Sequence, residues 1–432
     1  MKKWIILGWL CIPLLLGAVP VRQVTAETTR TPAEVLVKRF RLKSGEEFTE
    51  KTYERARQDL ERSRAYKELD FLYKEHKDGV DIHIKADDRS YVFPMLFSLN
   101  SHKHALGLSV IGGNLLKRGE SGSIFVGGGE DGFDTHGSIS IGRHSFAAGY
   151  FHVDFEQSFY QNGWVTSTGI YSVADDKGKH DEFLLGEVDG KQDDLFFSYA
   201  YQISSLWSVS VTPEYEYYSY AGHALDSGNH SHISVGLHYV DDMRPGMSMR
   251  SLDGMTHLEK TDMLADLPRM RTGKTVDISY MAGGSWTGSD YTISKLSVGG
   301  SYLWELKKHQ VIALFAKAQR AFEAPFSNQI ESSDLLFGMG IYDREQRGKG
   351  GVSAGLGLTY FVLRNRIGLL SVAPFYEQAY ITSGDDSWQP HSGVGITVGY
   401  RWWRVPIPIS LNFTHNLNDG SHHVGCKVGG KF

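Results

Sequence analysis

Eighteen histidines in 432 residues make metal chemistry the first possibility to test in this sequence. His102-x-His104 and His230-x-His232 have the spacing that puts two imidazoles on one face of a strand, but a zinc or copper site also needs a third ligand and groups that orient the rings. With acidic residues only loosely nearby, both pairs read as solvated loop histidines, and neither a metal site nor a cofactor is expected. Gly351-Val352-Ser353-Ala354-Gly355 matches the pattern of a hydrolase nucleophile. That chemistry requires a strand, a sharp turn and a helix, whereas Ser353 opens an alternating strand with no helical pattern after it, so no enzyme is expected. Gly127-Gly128-Gly129 could approach a phosphate, yet no helix and no Lys-Ser/Thr follows.

The scaffold that would carry any such chemistry is unusual in composition. Glycine, tyrosine and phenylalanine are abundant at 48, 22 and 22, against only 12 prolines, as in a chain of many strands and tight turns. Mean hydropathy is −0.29, and beyond the N-terminus no run of 18 apolar residues occurs. If the chain crosses a bilayer, a closed barrel is then the remaining way to satisfy its backbone. Lys2 and Lys3 precede an apolar stretch from Trp4 to Pro20, and Val24-Thr25-Ala26 offers small residues, so residues 1–26 read as a signal peptide cleaved before Glu27. Cys426 would then be the sole cysteine left, which excludes an internal disulfide. A formal net charge of −5 gives no electrostatic case for nucleic acid.

Two textures follow. Residues 27–90 are charged and mixed: Val35–Phe40 reads as a strand, and residues 48–66 as a helix capped by Thr49 with Tyr53, Ala56 and Leu60 on one face. Two strands joined at Asp78-Gly79 follow, giving a β-α-β-β unit with a three-stranded sheet. Residues 91–432 alternate with period two. Ile233, Val235, Leu237 and Tyr239 oppose Ser234, Gly236 and His238; Leu356, Leu358 and Tyr360 oppose Gly355, Gly357 and Thr359; Ile409, Leu411 and Phe413 oppose Ser410, Asn412 and Thr414. One face apolar and the other small or polar is the pattern of a barrel with a wet lumen, and aromatics such as Tyr215, Tyr217 and Tyr218 would sit at headgroup level. At roughly 20 residues per strand and turn the tract allows about sixteen strands. Its end, with Val424, Cys426, Val428, Gly430 and Phe432 on one face, resembles the C-terminal recognition strand of outer-membrane barrels.

Three stretches carry a more specific resemblance. Val35 to Arg89 looks like a polypeptide-transport-associated (POTRA) domain shortened to little more than its second half. Residues 105–126, with the turn Asn114 to Gly119, resemble the first hairpin of the BamA and TamA type of outer-membrane assembly factors, including the bacterial surface antigen group. Asp241, Asp242, Pro245 and Gly246 are similar to that family's mid-barrel turn. The resemblance implies a loop that folds into the lumen and carries Arg-Gly-aromatic, its Arg pairing with lumenal acids. The corresponding tract is residues 337–351, including Gly340 and Tyr342; it lacks the triplet, with Arg344 as the best placement for the Arg and Arg347-Gly348 as the alternative. Thr359 stands where the family has Glu, and Glu377 where it has Asp, so an Arg344–Glu377 pair is the expected lock.

The resemblance also implies an openable seam between a first strand over about residues 105–114 and a last over 422–432. Gly107, Gly112, Gly113 and Gly430 would reduce packing there, beside Val424, Val428 and Phe432. The expected role is assembly, insertion or translocation of proteins at the bacterial outer membrane. The N-terminal unit would lie in the periplasm, outer-membrane lipid would surround the barrel, and unfolded barrel proteins would be clients of the POTRA-like unit and the first strand. A passive pore or transporter on the same architecture is the alternative. The oligomeric state is not readable.

Overall fold

A computed structural model of the chain describes residues 19–62, 66–88, 90–99, 105–118, 120–160, 164–168, 184–204, 206–221, 226–242, 273–307, 310–331, 335, 345–364, 368–382, 387–402, 408–418, 420 and 422–428. These fall into two compact units. One comprises residues up to Tyr91 with the turn Gly113–Glu120, and the other most of the remainder.

The first unit is built from β1 (Val19–Thr28), α1 (Ala33–Arg39), a short β2 (Glu47–Phe48), α2 (Glu50–Arg62), β3 (Tyr66–His76) and β4 (Gly79–Asp88). Its sheet runs β2-β1-β4-β3, with β1 parallel to β4 and β3 antiparallel to it. Thr49 caps α2 by accepting a hydrogen bond from the Thr52 amide at 3.1 Å. Tyr53, Ala56 and Leu60 line the buried face of α2 and meet Val21, Leu36, Phe40, Val80, Ile82 and Ile84 in one core.

Two sequence expectations are corrected here. Val35–Phe40 is not a strand: Ala33–Arg39 is a helix, the Phe40 amide bonds back to the Leu36 carbonyl at 2.9 Å, and Leu36 and Phe40 are both 0 % exposed in the core. Glu34 in the first turn and Lys38 and Arg39 in the last suit the helix dipole. The sheet has four strands rather than three, because β1 joins it and carries Val21, 1 % exposed, into the core. The β3–β4 turn does sit at Asp78-Gly79. Gly79 has φ +150°, and a Cβ there would lie 2.5 Å from the Pro20 carbonyl oxygen, so only glycine fits.

The second unit is a closed antiparallel barrel. It runs β5 (Tyr91–Leu99), β6 (Ala105–Gly113), β7 (Ser121–Gly129), β8 (Gly132–Ile141), β9 (His144–Tyr160), β10 (Trp164–Thr168), β11 (Leu184–Gln202), β12 (Trp207–Tyr220), β13 (Gly228–Asn229) and β14 (His232–Asp242). After these come β15 (Gly273–Gly283), β16 (Ile293–Lys307), β17 (Gln310–Glu323), β18 (Ile330–Glu331), β19 (Glu345–Gly348) and β20 (Gly350–Arg364). Closing the barrel are β21 (Gly368–Thr382), β22 (Trp388–Trp402), β23 (Pro408–Asn416) and β24 (His422–Val428). Four of these segments, β10, β13, β18 and β19, hold two to five residues; the other sixteen are the staves.

Burial assigns the two faces. Leu411 and Phe413 are 42 % and 46 % exposed, whereas their neighbours Ser410, Asn412 and Thr414 are at most 6 % exposed. The same holds for Ile396 against Thr397 and for Val352 against Ser353. An apolar outside and a polar inside is the inverse of a water-soluble fold, and so wide an exposed apolar surface requires a lipid-like partner. The ring closes through β24 hydrogen-bonded to β5. The first stave is therefore Tyr91–Leu99, and the expected first strand over residues 105–114 is the second stave.

Candidate functional site

Between β17 and β20 the chain leaves the wall and builds a small structure on the barrel's inner side. Phe326–Asn328 form a 3-10 turn, and β18 and β19 pair with Glu331 opposite Arg347 and Ile330 opposite Gly348. Segment β19 also pairs with β10, Gln346 opposite Trp164 and Glu345 opposite Val165, so the loop is joined to the β9–β10 hairpin by backbone bonds.

Arg347 is the central side chain of this loop. Its guanidinium lies 2.5 Å from Glu331 Oε1, donates to the Phe326 carbonyl at 3.2 Å, and stands 4.8 Å over the Phe326 ring. The side chain is 9 % exposed. A planar fork can serve a carboxylate, a carbonyl and a ring face together, which an ammonium cannot. Gly348 allows the loop to close: a Cβ there would sit 1.8 Å from the Thr382 carbonyl oxygen. Leu335, wholly buried with Ala321, Ile330, Ala379 and Ile381, seats the loop on the inner wall.

The loop's other end meets a polar patch. Asn328 Nδ2 donates to Glu216 Oε2 at 2.7 Å, and its Oδ1 faces His230 Nδ1 at 2.5 Å. The Phe326 amide donates to Asp226 Oδ2, and Tyr220 and Ser327 share a hydroxyl contact of 2.8 Å. Burial pulls the His230 imidazole below its ordinary value, against the opposing pull of Asn328 and Asp226. Strand register assembles the rest of the patch: Asp194 on β11 is opposite Glu216 on β12, and Glu214 on β12 is opposite His232 on β14. Period two puts Glu214 and Glu216 on the inner face, with Tyr218 and Tyr220 above them at 8 % and 6 % exposure. Tyr218 thus faces inward, while Tyr215 and Tyr217 face out as the rim reading requires. Glu214, Glu216 and His232 bring their ligand atoms within 4.8 Å of one another and are the described residues able to hold a metal ion.

The expected site residues fare unevenly. Arg344, Gly340 and Tyr342 lie outside the described residues, as do Gly430, Phe432, His102 and His104. Glu377 is 2 % exposed on the inner face of β21, opposite Gly355 and Gly393, and Thr359 is half-buried on β20 opposite Val311. Among the described residues Arg347, the alternative placement, pairs with Glu331 within the loop itself. Gly107, Gly112 and Gly113 lie on β6, one stave from the closure. Val424, exposed, and Val428 are on β24 opposite Phe413 and Ile409. His230 and His232 are not solvated: they are 0 % and 1 % exposed. Ser353 is mid-strand with its hydroxyl donated to the Leu335 carbonyl, so it is no nucleophile elbow.

No family model and no curated protein matches this sequence. Solved structures do resemble the fold. BamA from Haemophilus ducreyi, in a form lacking POTRA domains 1–3, is 15 % identical with a TM-score of 0.51, the match covering 95 % of this chain and 84 % of that one. CdiB from Escherichia coli is 13 % identical with a TM-score of 0.59, covering 95 % and 76 %. CdiB from Acinetobacter baumannii is 10 % identical with a TM-score of 0.55, covering 95 % and 74 %. These are outer-membrane barrels of the Omp85/TpsB kind, and at these identities the likeness is one of fold.

Proposed function

We propose that this chain is an outer-membrane barrel that inserts or translocates other proteins, working through its closure rather than through covalent chemistry. The observation that carries this reading is the position of the closure. It joins β5 and β24, the first and last staves of the ring. Parting the ladder between the first and last staves leaves rows of unpaired N–H and C=O groups that a client strand can join. The fold shared with BamA and CdiB supports the same kind of work.

The first unit, with its own core of two helices on a four-stranded sheet, is read as a whole POTRA-like module rather than a shortened one. It lies in the periplasm, where its sheet edge β3 is available to an extended client. The passive-pore alternative is disfavoured by the Arg347-locked loop, which occupies lumenal space. Depleting the protein and measuring the outer-membrane proteome tests the proposal. Loss of particular barrel or secreted proteins is expected, whereas an unchanged proteome together with steady conductance in planar bilayers would establish the pore.

A further inference from the structure

The acid–histidine patch gathers three carboxylates, Asp194, Glu214 and Glu216, around the buried His232 on the inner wall. His232 Nδ1 lies 3.1 Å from the His230 carbonyl oxygen, which can only accept, so Nδ1 carries a proton. Its other nitrogen, Nε2, is fully buried and makes no hydrogen bond, although Glu214 Oε2 is 3.2 Å away. A neutral ring would aim a lone pair at a carboxylate. On the other side of Glu214 the Asp194 carboxyl is within hydrogen-bonding reach of it, and Asp194 Oδ1 is itself buried without a hydrogen-bond partner. Glu216 completes the set, held from behind by Asn328.

We propose that Glu214, Glu216 and His232 form a divalent metal site of the zinc class, with Asp194 as the fourth ligand. The His232–Glu214 spacing fits: two ligands each about 2.0–2.1 Å from a tetrahedral ion stand about 3.4 Å apart, against 3.2 Å between Nε2 and Oε2, while Glu216, 3.9 Å from the ring's other nitrogen and within 4.8 Å of the set, has to move inward to reach the ion. An imidazole nitrogen among carboxylates selects zinc and its neighbours over magnesium and calcium, which take oxygen alone. The orienting groups that a metal-bound histidine and carboxylate need are present: the His230 carbonyl fixes the tautomer, and Asn328 fixes Glu216. Because Asn328 belongs to the in-folded loop, the ion and the loop share an anchor. Glu214 keeps 22 % of its side chain exposed, which leaves the ion a way in from the lumen.

The test uses the full-length barrel purified in detergent, stripped with EDTA and titrated with zinc, and separately with cobalt for its visible absorption. One equivalent per chain is expected in the wild type, with cobalt bands of a nitrogen–oxygen tetrahedral site. Binding should be lost in His232→Gln and Glu214→Gln and weakened about 10- to 100-fold in Asn328→Ala. Heat-dependent gel mobility reports whether each variant has folded. Absence of binding to the wild type would overturn the site in favour of a protonated His232 paired with Glu214, and binding unchanged in both ligand variants would place the ion elsewhere among the 18 histidines. Should neither variant fold, the wild type decides: zinc but not magnesium raises its melting temperature if the site exists, and neither does if it does not.

Discussion

Arg347 shows how much one side chain can hold when a carboxylate, a carbonyl and an aromatic face converge on it. Removing it leaves Glu331, three-quarters buried, without its cation. Arg347→Ala is expected to lower stability by about 1–3 kcal/mol and to make the loop newly susceptible to added protease, whereas Arg347→Lys restores charge but not the fork and recovers only part. Gly348→Ala is expected to be worse than Arg347→Ala, because its methyl has nowhere to go beside Thr382. Asn114 makes a comparable case in the first unit. It adopts φ 53°, is fully buried, and exchanges hydrogen bonds with Thr31 while its carbonyl accepts from Ser90. Asn114→Ala forfeits both the side-chain bonds and asparagine's tolerance of that conformation, and a denaturant titration should register a loss of about 1–3 kcal/mol.

At the level of the elements, β1 yields a direct measurement. The strand carries Val21 into the core and supplies the parallel neighbour of β4, so a chain cut after Ala26 would lose its sheet's centre. N-terminal sequencing of protein recovered from outer membranes should therefore give a first residue at or before Val19; a start at Glu27 would mean that the unit folds without β1. The alternating staves β14, β20 and β23 were legible because each residue's face follows from its neighbours two away. Elements that the alternation rule misses had other causes. Val35–Phe40 has the β-branched look of a strand, and its short run puts Leu36 and Phe40 on one face in a strand and in a helix alike, so the spacing does not tell the two apart. Tyr91–Leu99 is a nearly unbroken apolar run containing Pro94, which offers no alternation to read. The acid–histidine patch escaped for a different reason. Glu214 and Glu216 are interleaved with tyrosines that resemble an interfacial rim, and it is register across three strands, absent from any single segment, that brings Asp194 and His232 to them.

For the whole molecule, the lumenal loop and the wall act together. With Arg347 in place the loop restricts the lumen, so planar-bilayer conductance should be low in the wild type and rise in Arg347→Ala; equal conductance in both would show that the loop does not limit passage. The wall itself is uneven. Stave β8 has ten residues between two described turns, while β11 has nineteen. At about 3.3 Å per residue and a tilt of about 35–45°, the longer strand rises about 45–50 Å, against an apolar band of about 25 Å in such barrels. Its upper part must then stand clear of the lipid as a parapet. A water-soluble thiol reagent should find a cysteine placed near Leu184 in intact cells and miss one placed at the outward-facing Leu195 lower on the same strand, and a large molecule arriving from outside would meet this raised strand before the lipid.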